Sequence, residues 1–322
     1  MPRVLVLGHS SIAQRRVLPT LTALDGMTVD LASRRPLAPS DLSVALESGH
    51  LWHGFAEALD NSEAEVVYIS TANHDHLPWT RRALESGRHV IVDKPAFLDL
   101  AQLTSMLELA SKRGRCLAEA TVFSYHRRFD ALTDFLSERP IGRIHATFII
   151  PPMDETSYRY DPTMGGGSLY DQGPYAAGVC RVLKGEAPDK IWANLTSRHP
   201  RTGVDRGFGM LCSFADGTSY SGQFGFDGEY VNVLWLNGAG WTASLDRAYS
   251  PPPTMASAID LREANLASVI DFAPDDTFAR FFISVLAAIK AGHWSSFTAA
   301  MEEDARFVDR LRRAAFGDGS PT

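Results

Sequence analysis

A chain of 322 residues is too long for one ordinary hydrophobic core, so two domains are expected. Its 45% hydrophobic and 21% charged residues are those of a soluble globular protein, and a net charge of −7 without a basic stripe argues against a nucleic-acid partner. No apolar run is long enough for a signal peptide or a membrane span, and Cys116, Cys180 and Cys212 have neither disulfide nor metal spacing, so a cytoplasmic protein with reduced thiols and no metal is expected.

The first third alternates strand and helix. Arg3–Leu7 reads as a strand, and Ile12, Leu18, Leu21 and Leu24 as a helix ended by Asp25-Gly26. Thr28–Ala32 is a second strand and Phe55–Leu59 a short helix. Val66–Ser70 is a strand, followed by a helix with Pro78 in its first turn and Gly87 at its end. "HVIVDKP" closes the next strand on Lys94 and Pro95. Asp99 caps a helix that carries Leu100, Leu103, Met106, Leu107 and Ala110 on one side, and Cys116–Ala120 is the last short strand. Such alternation predicts an α/β domain with a doubly wound parallel sheet, over residues 1–120.

The pattern then changes. Residues 121–322 are expected to form an α+β substrate and oligomerisation domain, its last helices packing back on the first. Arg143–Ile150 reads as a long strand, followed by a Gly-rich loop and helix over Met164–Leu183. Asp216-Gly217, Asp227-Gly228 and Asn237-Gly238 are turn dipeptides. They separate Phe208–Phe214, Thr218–Phe226, Tyr230–Leu236 and Trp241–Leu245, which predicts an antiparallel meander. Helices near Thr277–Ala291 and Phe297–Ala315 end the chain.

Ligands of an open α/β sheet bind at the carboxyl ends of its strands. Gly8, Ser10, Ser11 and Ile12 lie between the first strand and helix, where a dinucleotide pyrophosphate would meet backbone N–H groups. Ser10 stands where the usual fingerprint has a second glycine, and a plain tight turn is the other reading. The second strand ends in Ser33-Arg34-Arg35, with no acidic residue there for a ribose hydroxyl. A hydroxyl and two guanidiniums suit a 2′-phosphate, which favours NADP(H), with NAD(H) as the alternative. Arginines that merely solvate a loop are the plainer reading. Thr71, Ala72, Asn73 and His76 follow the strand Val66–Ser70.

"ISTANHDHLPWTRRALESGRHVIVDKP" resembles the core signature of the glucose–fructose oxidoreductase, inositol dehydrogenase and rhizopine-catabolism (Gfo/Idh/MocA) family, which runs from Thr-Pro-Asn-x-x-His to Glu-Lys-Pro. Ala72 replaces the Pro and Asp93 the Glu; Lys94 and Pro95 match. Gly165–Tyr175, "GGGSLYDQGPY", resembles the family's second motif. The resemblance implies an N-terminal Rossmann domain and a C-terminal domain with a large, mostly antiparallel sheet. "IAQRRVLPTL" and "LDRAYSPPP" are similar to the branch of nucleotide-sugar 3-ketoreductases of deoxysugar pathways.

That branch implies reduction of a keto sugar. The substrate is a small molecule, expected to be nucleotide-linked, and the enzyme a homodimer or homotetramer. Tyr175 would be the general acid. Lys94 would hold the keto oxygen or a neighbouring hydroxyl, and Lys94 and Pro95 would also face the cofactor. Asp171, four residues before Tyr175 and hence on the same helical face, would orient Lys94, Tyr175 or a substrate hydroxyl; a helix cap is the other role open to it. Tyr125 and His126, within "AEATVFSYHRRF", are candidates to touch substrate, although His126 reads equally as a packed histidine. Rival activities are dehydrogenation of a free sugar or polyol, redox-neutral chemistry on a tightly bound cofactor, and a regulator without turnover.

Overall fold

In the computed structural model, which describes residues 2–317, the β-branched runs of the first third build a parallel six-stranded sheet. Its strands are β1 (Arg3–Leu7), β2 (Thr28–Ser33), β3 (Leu51–His53), β4 (Val66–Ile69), β5 (His89–Val92) and β6 (Leu117–Glu119), in the order β3-β2-β1-β4-β5-β6. All of β4 and β5 is buried, as expected where helices cover both faces. The helices between are α1 (Leu18–Ala23), entered by a wide π-type turn Ala13–Val17, α2 (Phe55–Asn61), α3 (His76–Glu85) and α4 (Leu100–Arg113). Asp99 caps α4, accepting from Gln102 N at 2.7 Å. Strand order reverses between β1 and β4, which makes their carboxyl ends the ligand crevice of this kind of sheet.

The chain divides into two compact units, one of Met1–Ala120 with Phe278–Glu302, the other of Thr121–Thr277 with Glu303–Thr322. In the first, Phe281 and Phe282 are fully buried, and the Phe282 ring meets Tyr68 of β4 edge-on at 5.6 Å.

The second unit contains α5 (Arg127–Leu136), β7 (Arg143–Ile149), α6 (Ser168–Lys184) and seven further strands: β8 (Lys190–Arg198), β9 (Asp205–Ser213), β10 (Ser219–Gly225), β11 (Val231–Gly238), β12 (Trp241–Asp246), β13 (Ser257–Glu263) and β14 (Leu266–Phe272). Two long helices, α7 (Thr277–Ala291) and α8 (Ser295–Phe316), end the described chain, each divided between the units. The sheet order is β14-β13-β12-β11-β7-β10-β9-β8, and every pair is antiparallel except β7 with β10. Alternate residues such as Ile144, Ala146 and Phe148 of β7 point into one core with Leu169, Ala176 and Val179 of α6.

This sheet corrects the simple meander. Strand β7 lies between β10 and β11, so Asp227-Gly228 is not a hairpin turn. The β11–β12 hairpin turns at Ala239-Gly240, two residues beyond the expected dipeptide. Gly238 is the last residue of β11 instead, where a Cβ would lie 2.3 Å from the Trp241 indole. Helix α6 begins at Ser168, directly after the expected Gly-rich loop, in which Gly165 and Gly167 take positive φ. Strands β8, β13 and β14 were not expected; the first four residues of β14 are all exposed and carry no alternation.

Candidate active site

Gly8 follows β1 with φ +112, and its N–H donates to Ala32 O at 3.0 Å. A Cβ here would lie 2.0 Å from Ser70 O, so only glycine lets the ends of β1 and β4 approach. Ser10 does a structural task at the second-glycine position. Its hydroxyl pairs with Ser70 Oγ at 2.7 Å and accepts from Ala13 N at 3.0 Å. Ser11 and Ile12 open the following helix.

At the end of β2, the buried Ser33 accepts from Arg35 N at 3.1 Å. Arg34 is half exposed; its guanidinium donates to Asp75 Oδ2 at 2.6 Å and lies 4.9 Å from the Phe55 ring. Beyond β4, Thr71 and Ala72 lead into a 3₁₀ turn that buries Asn73. His76 is fully buried, with Nδ1 2.9 Å from Pro95 O and Nε2 3.2 Å from Thr71 O. It therefore clamps the Thr71 loop to the Lys94–Pro95 loop, a supporting place behind both segments. The Lys94–Pro95 peptide is cis.

Asp93 is the residue whose place the sequence left open. Its carboxylate accepts from Ser70 Oγ at 2.5 Å and from the Tyr68 hydroxyl. Burial raises its pKa above the ordinary carboxyl value. Hydrogen bonds from Ser70 and Tyr68, and the charges of His76 and Lys94, oppose that rise. The Tyr68 phenol is pushed well up, by burial first and then by Asp93. On the other side Glu119, at the end of β6, accepts from Ala96 N at 2.7 Å. The segment bearing Lys94 is thus pinned to β4 and to β6, and Ser10–Ser70–Asp93 link it to the glycine loop.

In the second unit the triple glycine packs on its own chain. A Cβ on Gly166 would lie 2.6 Å from Arg159 O, and one on Gly167 2.4 Å from Asp205 Oδ1. Asp205 of β9 caps α6 from outside it: Oδ2 accepts from Ser168 Oγ and Leu169 N, both at 2.7 Å. The cap role considered for Asp171 is therefore filled by Asp205. Asp171 lies within α6 and pairs with Arg159 Nε at 3.0 Å, a partner no motif announced.

Tyr175 is half-buried in an aromatic box, its ring 5.1 Å from Phe148, 5.5 Å from Tyr249 and 5.9 Å from Phe123. Tyr249 is carried by the loop after β12. The fully buried Arg128 holds that loop, donating to Asp246 O at 2.7 Å and Arg247 O at 2.9 Å, with its pKa pushed down to about 10 by burial. Tyr125 is half-buried at the end of a 3₁₀ turn. His126 beside it is fully buried and caps α5, accepting from Arg128 N at 3.1 Å; this is the packed-histidine alternative.

Burial pushes the thiols of Cys116, Cys180 and Cys212 up to about 12, which makes them poor nucleophiles. Among the described residues there is no group of three or more His, Cys, Asp or Glu that could hold a metal ion. Nor, among them, is any helix long and apolar enough to cross a membrane.

Residues 2–121 match the model of an oxidoreductase family with an NAD-binding Rossmann fold, and residues 134–239 match the C-terminal domain of the GFO/IDH/MocA group. The chain belongs to the GFO/IDH/MocA oxidoreductase family. It is 31% identical over 328 residues to a dTDP-3,4-didehydro-2,6-dideoxy-alpha-D-glucose 3-reductase of Streptomyces violaceoruber, covering 97% of this chain and 95% of that one. It is 30% identical over 290 residues to the enzyme of the same name from Streptomyces antibioticus, covering 89% and 88%. The crystal structure of a 3-ketoreductase from Actinomadura kijaniata, in complex with NADP and TDP-benzene, matches with a TM-score of 0.91, at 28% identity and 98% coverage of both chains. This GFO/IDH/MocA protein is thus an oxidoreductase, with the two-sheet architecture of its structural relative.

Proposed function

We propose that the chain is an NADPH-dependent reductase of the C3 keto group of a nucleotide-linked deoxysugar. The observation that carries this reading is the likeness, over nearly the whole chain, to 3-reductases of a dTDP-linked keto sugar. The residues present fit a dinucleotide. Gly8 keeps the strand ends bare; the helix start at Ser11 and Ile12 would hold the pyrophosphate, and Thr71–Asn73 and Lys94–Pro95 would hold the nicotinamide. Ser33, Arg34 and Arg35 supply a hydroxyl and two cations to a 2′-phosphate, and a guanidinium keeps donors to spare while bound to Asp75.

When bound, the nicotinamide supplies the hydride. Lys94 donates to the keto oxygen and stabilises the alkoxide that develops, and Tyr175 delivers the proton. Asp171 fixes the face of α6 from which Tyr175 projects. The same reading makes the enzyme cytoplasmic and a homodimer or homotetramer. Its support is the half-exposed Trp192 and Leu211, paired in register on the outward face of the large sheet.

The test is loss of NADPH absorbance with a dTDP-linked 3-keto-deoxysugar, against free sugars with NADP⁺. Turnover of the nucleotide sugar is expected. Lys94→Ala and Tyr175→Phe should each lower kcat about a hundredfold or more while leaving NADPH binding largely intact. Oxidation of free sugars alone, or full turnover in both variants, overturns the reading.

A further inference from the structure

Arg159 approaches the Asp171 carboxylate with Nε at 3.0 Å, and its guanidinium lies over the Tyr158 ring, 4.8 Å from the centroid. The two charged side chains are largely withdrawn from water, at 30% and 10% exposure. The Gly-rich turn fixes the arginine's backbone, since Arg159 O accepts from Gly167 N at 3.0 Å. Asp171 and Tyr175 stand one turn apart on α6, where side chains four residues apart are neighbours, with Cβ atoms about 5–6 Å from each other. A guanidinium anchored on Asp171 is therefore a fixed neighbour of the Tyr175 phenol.

We propose that Arg159 is a positioning residue of the acid step: paired with Asp171, it keeps a permanent positive charge beside Tyr175 and stabilises the phenolate left when Tyr175 gives up its proton. This rests on the reading of Tyr175 as general acid. In that step hydride and its electron pair add to the keto carbon, and the carbonyl π pair moves to oxygen. The O–H bond of Tyr175 breaks, its proton goes to the sugar oxygen, and its electrons stay on Tyr175 until water reprotonates it. Negative charge thus moves onto the phenol oxygen. A guanidinium, which keeps its proton at any working pH, favours that movement throughout. The Arg159 proton is held more firmly still by Asp171, against the cost of burial, with further help from Tyr158 and Tyr175. Of the groups packed on Tyr175, the Tyr249 phenol and the rings of Phe123 and Phe148 carry no charge, and Lys94, which the reading above brings to the same keto oxygen, adds a second cation from the substrate side. Without the guanidinium, the Asp171 carboxylate alone would oppose ionisation of the phenol.

Arg159→Gln tests this, because an amide can donate to Asp171 while the charge is gone. The alkaline limb of the pH–rate profile should move up by about one unit or more. Turnover at neutral pH should fall about tenfold or more, with NADPH affinity unchanged. Arg159→Lys should bring the limb most of the way back. An unmoved limb in Arg159→Gln, with Tyr175→Phe inactive in the same assay, overturns this inference alone. Full activity of Tyr175→Phe overturns the acid assignment and this inference with it. If Arg159→Gln fails to fold, ultraviolet titration of the native protein minus Tyr175→Phe reads the phenol directly. Ionisation below the ordinary phenol value of about 10 is expected, and ionisation at or above it overturns the inference.

Discussion

Asp93 anchors the loop that presents Lys94. Ile69 and Val92 are partners in the parallel register of β4 and β5, so Asp93 lies beside Ser70, and the short aspartate side chain reaches both Ser70 Oγ and the Tyr68 hydroxyl. A glutamate would carry its carboxylate one methylene further than this pair requires. Because burial raises the folded pKa above the unfolded value of 3.8, the folded state binds the proton more tightly than the unfolded state does. The contribution of Asp93 to stability is therefore greatest below the unfolded value and declines as pH rises through the folded one. Asp93→Asn removes that dependence. The stability of the wild type minus that of Asp93→Asn, from urea unfolding between about pH 3 and about pH 8, should be largest at the acid end and fall to a plateau. A difference independent of pH would show that burial does not govern this carboxyl. The lysine at the strand end was legible in "HVIVDKP". Its anchor was not, because Tyr68 and Ser70 lie on another strand and hydrophobic runs do not reveal register.

At the scale of one element, α6 shows how a helix start is built from distant parts. Its first turn has no cap of its own; Asp205 of β9 supplies one, and Gly167, at φ +122, leaves room for that carboxylate. The glycine run was legible as a special backbone, but its neighbour is the fold itself, and no pattern links residue 167 to residue 205. Asp216-Gly217 does turn β9 into β10, but Asp227-Gly228 misled for a similar reason, since β7 enters between β10 and β11 from far back in the chain. Asp205→Ala removes two charge-assisted hydrogen bonds and should cost about 2 kcal/mol in urea unfolding. Gly167→Ala should cost at least as much, through backbone strain and a Cβ 2.4 Å from Asp205 Oδ1. Since that clash needs the carboxylate, the double variant should lose less than the sum of the singles. Strict additivity would show that the glycine is needed for its φ alone.

Over the whole molecule, the alternation of buried strands and helices was enough to read five of the six strands of the first sheet, because a parallel sheet covered on both faces leaves continuous apolar runs; the edge strand β3, three residues long and without a fully buried one, left no such run. Alternation alone says nothing about Phe278–Glu302, which groups in the first unit with Met1–Ala120, some 200 residues earlier in the chain; the expectation that the last helices pack back on the first domain did not rest on it. All residues assigned to the dinucleotide lie in that unit, so cofactor choice can be read as stability of the native state. At about a hundred times its Kd, NADPH should stabilise the protein by about 2.7 kcal/mol. Arg34 stacks on Phe55 and is held by Asp75, which sets its guanidinium in place at the end of β2 before any ligand arrives. Losing a charge-assisted pair to phosphate is worth about 1.5–3 kcal/mol, or roughly tenfold to a hundredfold in Kd. Arg34→Ala should therefore lose most of the thermal shift given by NADPH while keeping the smaller shift given by NADH. An equal loss for both cofactors would mean that Arg34 shapes the pocket through Phe55 and Asp75 and does not read the 2′-phosphate.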